Sequence, residues 1–293
     1  LENILNPLDH KFDSRLMMHL LQAPVQDGGQ WDMFVNLIEK YGLVPQSVMP
    51  ETNHSSKSGM MNYFLTHKLR EFAYMLRKSN KNKITKLRIQ KEKMMQEIYS
   101  LLSMFLGNPP EYFDWSIKDK NNKFSRFNKI EPIIFYRKFV NIKLKDKLCL
   151  IHAPMSNKEM NSLYTVSYLG NVIGGNIIKY ANVEINELKK ATIKSLKNNE
   201  AVWFGCDVGK MFNRDLGIMD MDLYNYENLL NTNFKMNKAT RLEYGDSLMT
   251  HAMLFTGVDL KSNKSQKWRV ENSWGNKNGD QGYYLMSDNW FDE

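Results

Sequence analysis

The chain has 293 residues, 42% of them hydrophobic and 25% charged, the composition of a globular protein with length for one large domain or two ordinary ones. No run reaches the ~18–20 apolar residues of a membrane-crossing helix, and the longest apolar-rich stretch, Ile98 to Leu106, is interrupted by Ser100 and Ser103. The net charge of +8 is unevenly placed: residues 57–150 carry 21 Lys/Arg against 8 Asp/Glu, and the rest of the chain carries 19 against 24.

A basic middle of this kind suits an anionic partner such as nucleic acid or an acidic peptide, and it equally suits a solvated helical face, the plainer reading. The two cysteines, Cys149 and Cys206, sit in apolar runs with no CxxC and no histidine at ligand spacing. Neither a disulfide scaffold nor a structural zinc site is expected on that pattern, and no cofactor is expected. The start, Leu1-Glu2-Asn3, has neither a basic segment nor an apolar one of the signal-peptide kind, so a reducing cytoplasm is expected. Both ends read as cut rather than finished.

In chain order, Asp27-Gly28-Gly29 reads as a turn. Trp31, Phe34, Val35 and Ile38 then recur at helical spacing within Gln30–Tyr41, with Gly42 as the stop. Two longer helices follow. Met61, Phe64, Leu65, Leu69, Phe72 and Leu76 line the first; Ile84, Leu87, Met94, Met95, Ile98, Leu101, Leu102 and Phe105 line the second, which Gly107-Asn108-Pro109-Pro110 ends. The polar turn Lys78–Lys83 between them predicts a helical hairpin, and Lys118–Lys123 is a further turn. Beyond residue 140 the texture changes. Leu148–His152, Ala201–Cys206, Thr250–Val258, Gln266–Asn272 and Tyr283–Met286 read as strands. Glu184–Asn198 reads as a helix with Ile185, Leu188, Ala191, Ile193 and Leu196 inward. The sum is an α+β protein, helical first and β-rich second, with a site expected in a cleft between the halves.

Of six histidines, His10, His19, His54, His67 and His152 have no chemical context. His251 starts an apolar strand, and 21 residues later comes Asn272 in Glu271-Asn272-Ser273-Trp274-Gly275. In an antiparallel pair these two can meet, so that the Asn272 carboxamide accepts from the imidazole and aims its other nitrogen at a nucleophile. Trp274 could cover that bond. A β-hairpin with no chemistry is the alternative from residue types alone.

His251-Ala252, Asn272-Ser273-Trp274-Gly275 and Gly282-Tyr283 resemble the second half of papain-like cysteine peptidases, and Asp27-Gly28-Gly29 followed by a helix and Pro50-Glu51 resembles their Gly-Gly segment. The finer resemblance is to bleomycin hydrolase and aminopeptidase C. It is carried by Asp27 to Met33, Leu106 to Glu111, Leu163 to Val166, Glu200 to Gly209 and Ser247 to Met253, which run in family order over nearly the whole chain.

That resemblance implies a papain-like fold: the remainder of the helical domain over 1–56, an inserted basic helical region over 57–146, and over 147–293 a β-barrel-like antiparallel domain with the site. It implies a cytoplasmic thiol aminopeptidase acting on peptides and assembled as a homo-hexameric ring. His251 would be the base, Asn272 its orienter, Trp274 the shield, and Gly28 and Gly29 would bind substrate backbone. Some relatives with a basic channel also bind nucleic acid. The family's nucleophilic Cys lies upstream of the Gly-Gly segment and is not in this chain, and neither is the family's carboxy-terminal arm. Cys206, with Asp207 beside it, is not expected to replace the nucleophile. An inactive relative that binds nucleic acid or peptide as a ring subunit is the alternative. Without the Cys-bearing helix, the chain alone is expected to be poorly soluble or partly molten.

Overall fold

The computed structural model describes residues 1–6, 10–25, 28–79, 83–140 and 142–293. Its backbone gathers into two compact units, one of residues 1–146 and 167–178, the other of 147–166 and 179–293. Residues 1–56 and 57–146 thus share one unit, and a segment inside 147–293 joins them.

In the first unit, α1 (Glu2–Leu5), α2 (Arg15–Gln22), α3 (Trp31–Tyr41) and α4 (Asn53–Ser56) precede the long pair α5 (Gly59–Lys78) and α6 (Ile84–Leu106). The predicted hairpin is there, with Asn80, Lys81 and Asn82 of its turn outside the described residues. Met61, Leu65, Phe72 and Leu76 of α5 meet Leu87, Met94 and Ile98 of α6 in one buried cluster. Glu2 joins α1 to α6, accepting from Lys91 at 2.9 Å and from Arg88 at 3.1 Å.

The turn expected over Lys118–Lys123 closes a strand pair that the sequence pattern does not announce, β1 (Phe113–Lys118) against β2 (Phe124–Ile130). Most of its side chains are exposed, which erases the alternation that would mark strands. It is held instead by an aromatic cluster, in which Trp115 stacks on Phe127 and meets Phe135 and Phe139 edge-on. Phe135 ends α7 (Pro132–Phe135). Gly42 stops α3 at φ +79° beside α7; a Cβ there would fall 2.2 Å from the Pro132 carbonyl carbon. Segment 167–178 is tied to α3 by side-chain amides. Asn36 donates to the Asn176 carbonyl and accepts from its N–H, and Asn171 donates to the Met33 carbonyl.

The second unit contains two sheets. In the smaller, β3 (Cys149–Ile151) pairs parallel to β5 (Tyr180–Asn182), which pairs antiparallel to β4 (Ser162–Tyr164). Asn182 is fully buried there; its carboxamide bonds the Ala153 N–H and the carbonyls of Ala153, Lys158 and Glu159. After α8 (Ile185–Lys197) come β6 (Val202–Cys206), β7 (Phe212–Asn213), β8 (Ile218–Met219), the short helices α9 (Tyr226–Leu230) and α10 (Lys238–Glu243), then β9 (His251–Lys261), β10 (Lys264–Glu271), β11 (Tyr283–Ser287) and α11 (Asp288–Asp292). The larger sheet runs β6-β9-β10-β11-β8-β7 and is antiparallel except for β11 with β8.

The core of this unit is the inner face of that sheet: Met253, Phe255, Trp268, Val270, Tyr284 and Met286, joined by Met219 and Trp290. Each such side chain contributes ~1.5–3 kcal/mol on burial. Ser265 and Trp268 both face inward although three residues apart, because a bulge between Ser265 and Lys267 resets the parity of β10. Helix α8 turns Ile193 and Leu196 onto this core as its spacing predicts, and Ile185, Leu188 and Ala191 are half-buried. Lys189 and Thr192 are its most buried residues, and the Lys189 ammonium is neutralised by Asp288 at 2.7 Å and Asp292 at 2.6 Å. Among the described residues no helix is long and apolar enough to cross a membrane.

Candidate active site

His251 is the first residue of β9 and stands in register with Cys206, the last of β6; Thr250 donates to the Cys206 carbonyl at 2.9 Å. Asn272 follows the last residue of β10. Its N–H donates to the Gly282 carbonyl at 3.1 Å, so the start of β11 fixes its backbone. Gly282 has φ +91°, and a Cβ on it would fall 2.9 Å from the Gly275 carbonyl oxygen, which accounts for glycine in the Gly282-Tyr283 pair.

The β9–β10 hairpin brings the two side chains together: His251 Nε2 lies 2.9 Å from Asn272 Oδ1. The Ser273 N–H also donates to that oxygen, at 2.7 Å. An N–H needs an acceptor, so this contact identifies the oxygen end of the amide. His251 Nε2 must then carry a hydrogen and donate it. In the neutral ring Nδ1 keeps its lone pair, the arrangement of a general base. Asn272 is 8% exposed, and its amide nitrogen is buried with no hydrogen-bond partner among the described residues.

Trp274 lies with its ring centroid 4.6 Å from that of His251, tilted by 31°. One further residue, which the sequence did not single out, joins the group. The guanidinium carbon of Arg214 is 4.6 Å from the Trp274 centroid. Arg214 sits in the β7–β8 turn, where Asn213 Oδ1 accepts from Leu216 N–H at 3.0 Å. Asp215 ties this turn to the segment after Trp274, accepting from Asn278 Nδ2 and, at its carbonyl, from Gly279 N–H. Nothing in a lone arginine 60 positions from Trp274 marks it in the sequence.

Cys206 packs against the core, and burial, with the Asp207 charge adding to it, pushes its thiol up to about 12. It is a protonated thiol near neutral pH and a poor nucleophile. Gly28 and Gly29 belong to the first unit and are exposed, with nothing within 4 Å of a Cβ built on either; Asp27 lies outside the described residues. Of the other histidines, His152 Nδ1 faces the Val183 carbonyl and His54 packs edge-on against Phe105. Among the described residues no cluster of His, Cys, Asp and Glu has the makings of a metal site.

A histidine hydrogen-bonded to an asparagine beside a tryptophan is an arrangement in which the imidazole is held in one orientation with one ring nitrogen available for proton transfer. The profile of the Peptidase C1-like family matches residues 1–293, and the chain belongs to that family. It is 48% identical over 293 residues to aminopeptidase C of Listeria innocua, covering 100% of this chain and 66% of that protein. It is 46% identical over 289 residues to human bleomycin hydrolase, covering 96% of this chain and 64% of that protein. The crystal structure of PepW from Lactobacillus rhamnosis HN001 superposes with a TM-score of 0.95 at 48% identity, over 99% of this chain and 66% of that one. The fold is therefore papain-like, and the chain spans just under two thirds of these relatives' length.

Proposed function

We propose that this chain carries the base half of a cysteine-type aminopeptidase that removes amino-terminal residues from peptides, the thiol nucleophile coming from a cysteine outside these 293 residues. The observation that carries the reading is the His251–Asn272 bond at 2.9 Å, made through Nε2, with no hydrogen-bond partner of Nδ1 among the described residues. The names of the relatives, aminopeptidase C and bleomycin hydrolase, support the reaction class.

In this reading Nδ1 takes the proton of the cysteine thiol, and the thiolate attacks the first peptide carbonyl carbon. Nδ1 then returns the proton to the nitrogen of the breaking C–N bond, and the leaving peptide departs as an amine. Water, deprotonated by the same nitrogen, breaks the thioester and restores the thiol. Throughout, Nε2–H stays on Asn272, which stabilises the imidazolium and holds the ring. Gly28 and Gly29, exposed and without side chains, suit an extended substrate backbone laid against them. Assembly of the complete protein as a cytoplasmic homo-hexamer belongs to the same proposal and rests on the resemblance.

The basic stretch over 57–150 supports nucleic-acid binding less well. Lys68 pairs with Glu71 and Glu97, and Lys91 with Glu2 and Glu92. Arg70 donates to the Leu21 and Gln22 carbonyls and Arg77 to that of His10. These four of the 21 Lys/Arg of the stretch are engaged within the fold.

The test is a thiol-directed epoxide applied to this chain and to the product of the complete reading frame, with the labelled cysteine mapped by mass spectrometry. Label on a cysteine of the longer protein alone is the expected result. Rapid label on Cys206 in the 293-residue chain would reassign the nucleophile. No label on either would favour an inactive relative.

A further inference from the structure

We propose that Arg214 selects for peptides whose leaving portion carries a carboxylate on its first or second residue, either a side chain or the free terminus. The inference rests on the peptidase reading, because it is the protonation of the leaving amine by His251 that places the leaving peptide.

To receive that proton the amine nitrogen must come within ~3 Å of Nδ1. Trp274 touches the same imidazole at 4.6 Å, and the Arg214 guanidinium touches Trp274 at 4.6 Å. The guanidinium carbon is therefore no farther than twice 4.6 Å from the imidazole centroid. Each further residue extends the leaving peptide by about 3.5 Å. For a leaving peptide that runs over Trp274 toward the guanidinium, each residue shortens the remaining distance, and a carboxylate on the first or second residue comes inside the ~8–10 Å over which an exposed charge acts at physiological salt.

Three features suit Arg214 to this use. It is exposed, and its guanidinium has no acidic partner among the described residues, unlike Arg88, Arg126 and Arg241. Its neighbour Asp215 is held by Asn278 and Gly279, which fixes the turn. Stacking on an indole occupies the face of a guanidinium and leaves its edge N–H groups free for a carboxylate. Asp207, which follows the residue in register with His251, accepts from Leu248 N–H at 3.4 Å, and Lys210 faces Asp246 at 3.7 Å.

The experiment uses the protein from its complete reading frame and paired substrates, alanyl di- and tripeptides as free acids and as their carboxamides. The readout is the acid-to-amide ratio of kcat/KM, which cancels any general loss of activity. The unaltered protein is expected to favour the free acid, chiefly through KM. Arg214→Met should lower the ratio ~3–10-fold, Arg214→Lys should keep most of it, and Arg214→Glu should reverse it. A ratio that Arg214→Met leaves unchanged while peptides are still hydrolysed overturns the inference and leaves the peptidase reading standing. Failure of the unaltered protein to hydrolyse any of the peptides overturns both.

Discussion

At the scale of single residues, the decisive arrangement is an oxygen shared by two donors. Asn272 Oδ1 accepts from Ser273 N–H and from His251 Nε2–H, so one backbone amide fixes the carboxamide and the carboxamide fixes the imidazole tautomer. The two side chains therefore have unequal parts in the proposed chemistry. In the complete protein His251→Ala removes the group that moves every proton, and turnover is expected to fall by ~10⁴-fold or more. Asn272→Ala removes only orientation and is expected to cost ~10–100-fold in kcat with little change in KM. Steady-state kinetics on one dipeptide series distinguishes them, and a His251→Ala protein as active as the parent would refute the assignment. His251, Asn272 and Trp274 were legible because a hairpin is local: 21 residues separate the pair, and the strand pattern between them is strong. Arg214 was not, since its contact to Trp274 depends on the parallel pairing of β8 with β11, and parallel pairings leave no turn signal in the sequence.

At the scale of elements, what the sequence showed were long periodic segments, and what it hid were polar groups used as structural ties. The α5–α6 hairpin was predictable because its apolar residues recur at helical spacing. Buried Asn182 has partners 23 to 29 residues away, all of them backbone groups, and no residue pattern encodes such a contact. Lys189 was hidden for a similar reason: a lysine on a helix reads as solvent-facing until its acceptors are known. Those acceptors make a testable tie. Asp288 Oδ2 accepts from Lys189 and Oδ1 from the Trp268 indole at 3.0 Å. Burial works to raise the Asp288 pKa, and the hydrogen bonds from Lys189, Ser265 and Trp268 outweigh it, leaving the carboxyl below its ordinary value. A depressed folded-state pKa stabilises the fold above the unfolded carboxylate pKa, and that contribution is lost as pH falls through the folded value. Asp288→Asn is therefore expected to cost ~2–3 kcal/mol at neutral pH. Its difference from the parent should shrink as the solution is acidified through and below the carboxylate range. Urea unfolding followed by tryptophan fluorescence at neutral and acid pH measures both, and a pH-independent difference would rule the linkage out.

At the scale of the whole chain, the two units have cores of their own while their surfaces are rich in apolar side chains. In the first unit Met60, Tyr63, Phe64 and Tyr74 of α5 and Ile89, Tyr99 and Met104 of α6 are exposed, Met104 by 75%. Of the positions that made α5 and α6 legible, Phe64, Ile84 and Met95 are themselves 47%, 40% and 39% exposed. The periodicity reports apolar faces wider than the partner the fold supplies, and so overstates the core. Single exposed apolar residues are ordinary, whereas contiguous ones mark surfaces that associate. In the second unit the inner face of the six-stranded sheet is closed, with Trp268 and Val270 fully buried. Poor solubility of the 293-residue chain is thus expected to arise from the α5–α6 surface and not from a loosened β core. The isolated chain should bind a hydrophobic dye and grow in apparent mass with concentration while its near-ultraviolet circular dichroism, dominated by packed aromatics, is retained. Replacing Phe64, Tyr99 and Met104 together by Gln should suppress both effects without moving the dichroism. Dye binding that survives this replacement and accompanies a lost dichroism signal would place the defect in the β core, as in a partly molten state. A monomer that binds no dye would show that these faces are too scattered to associate.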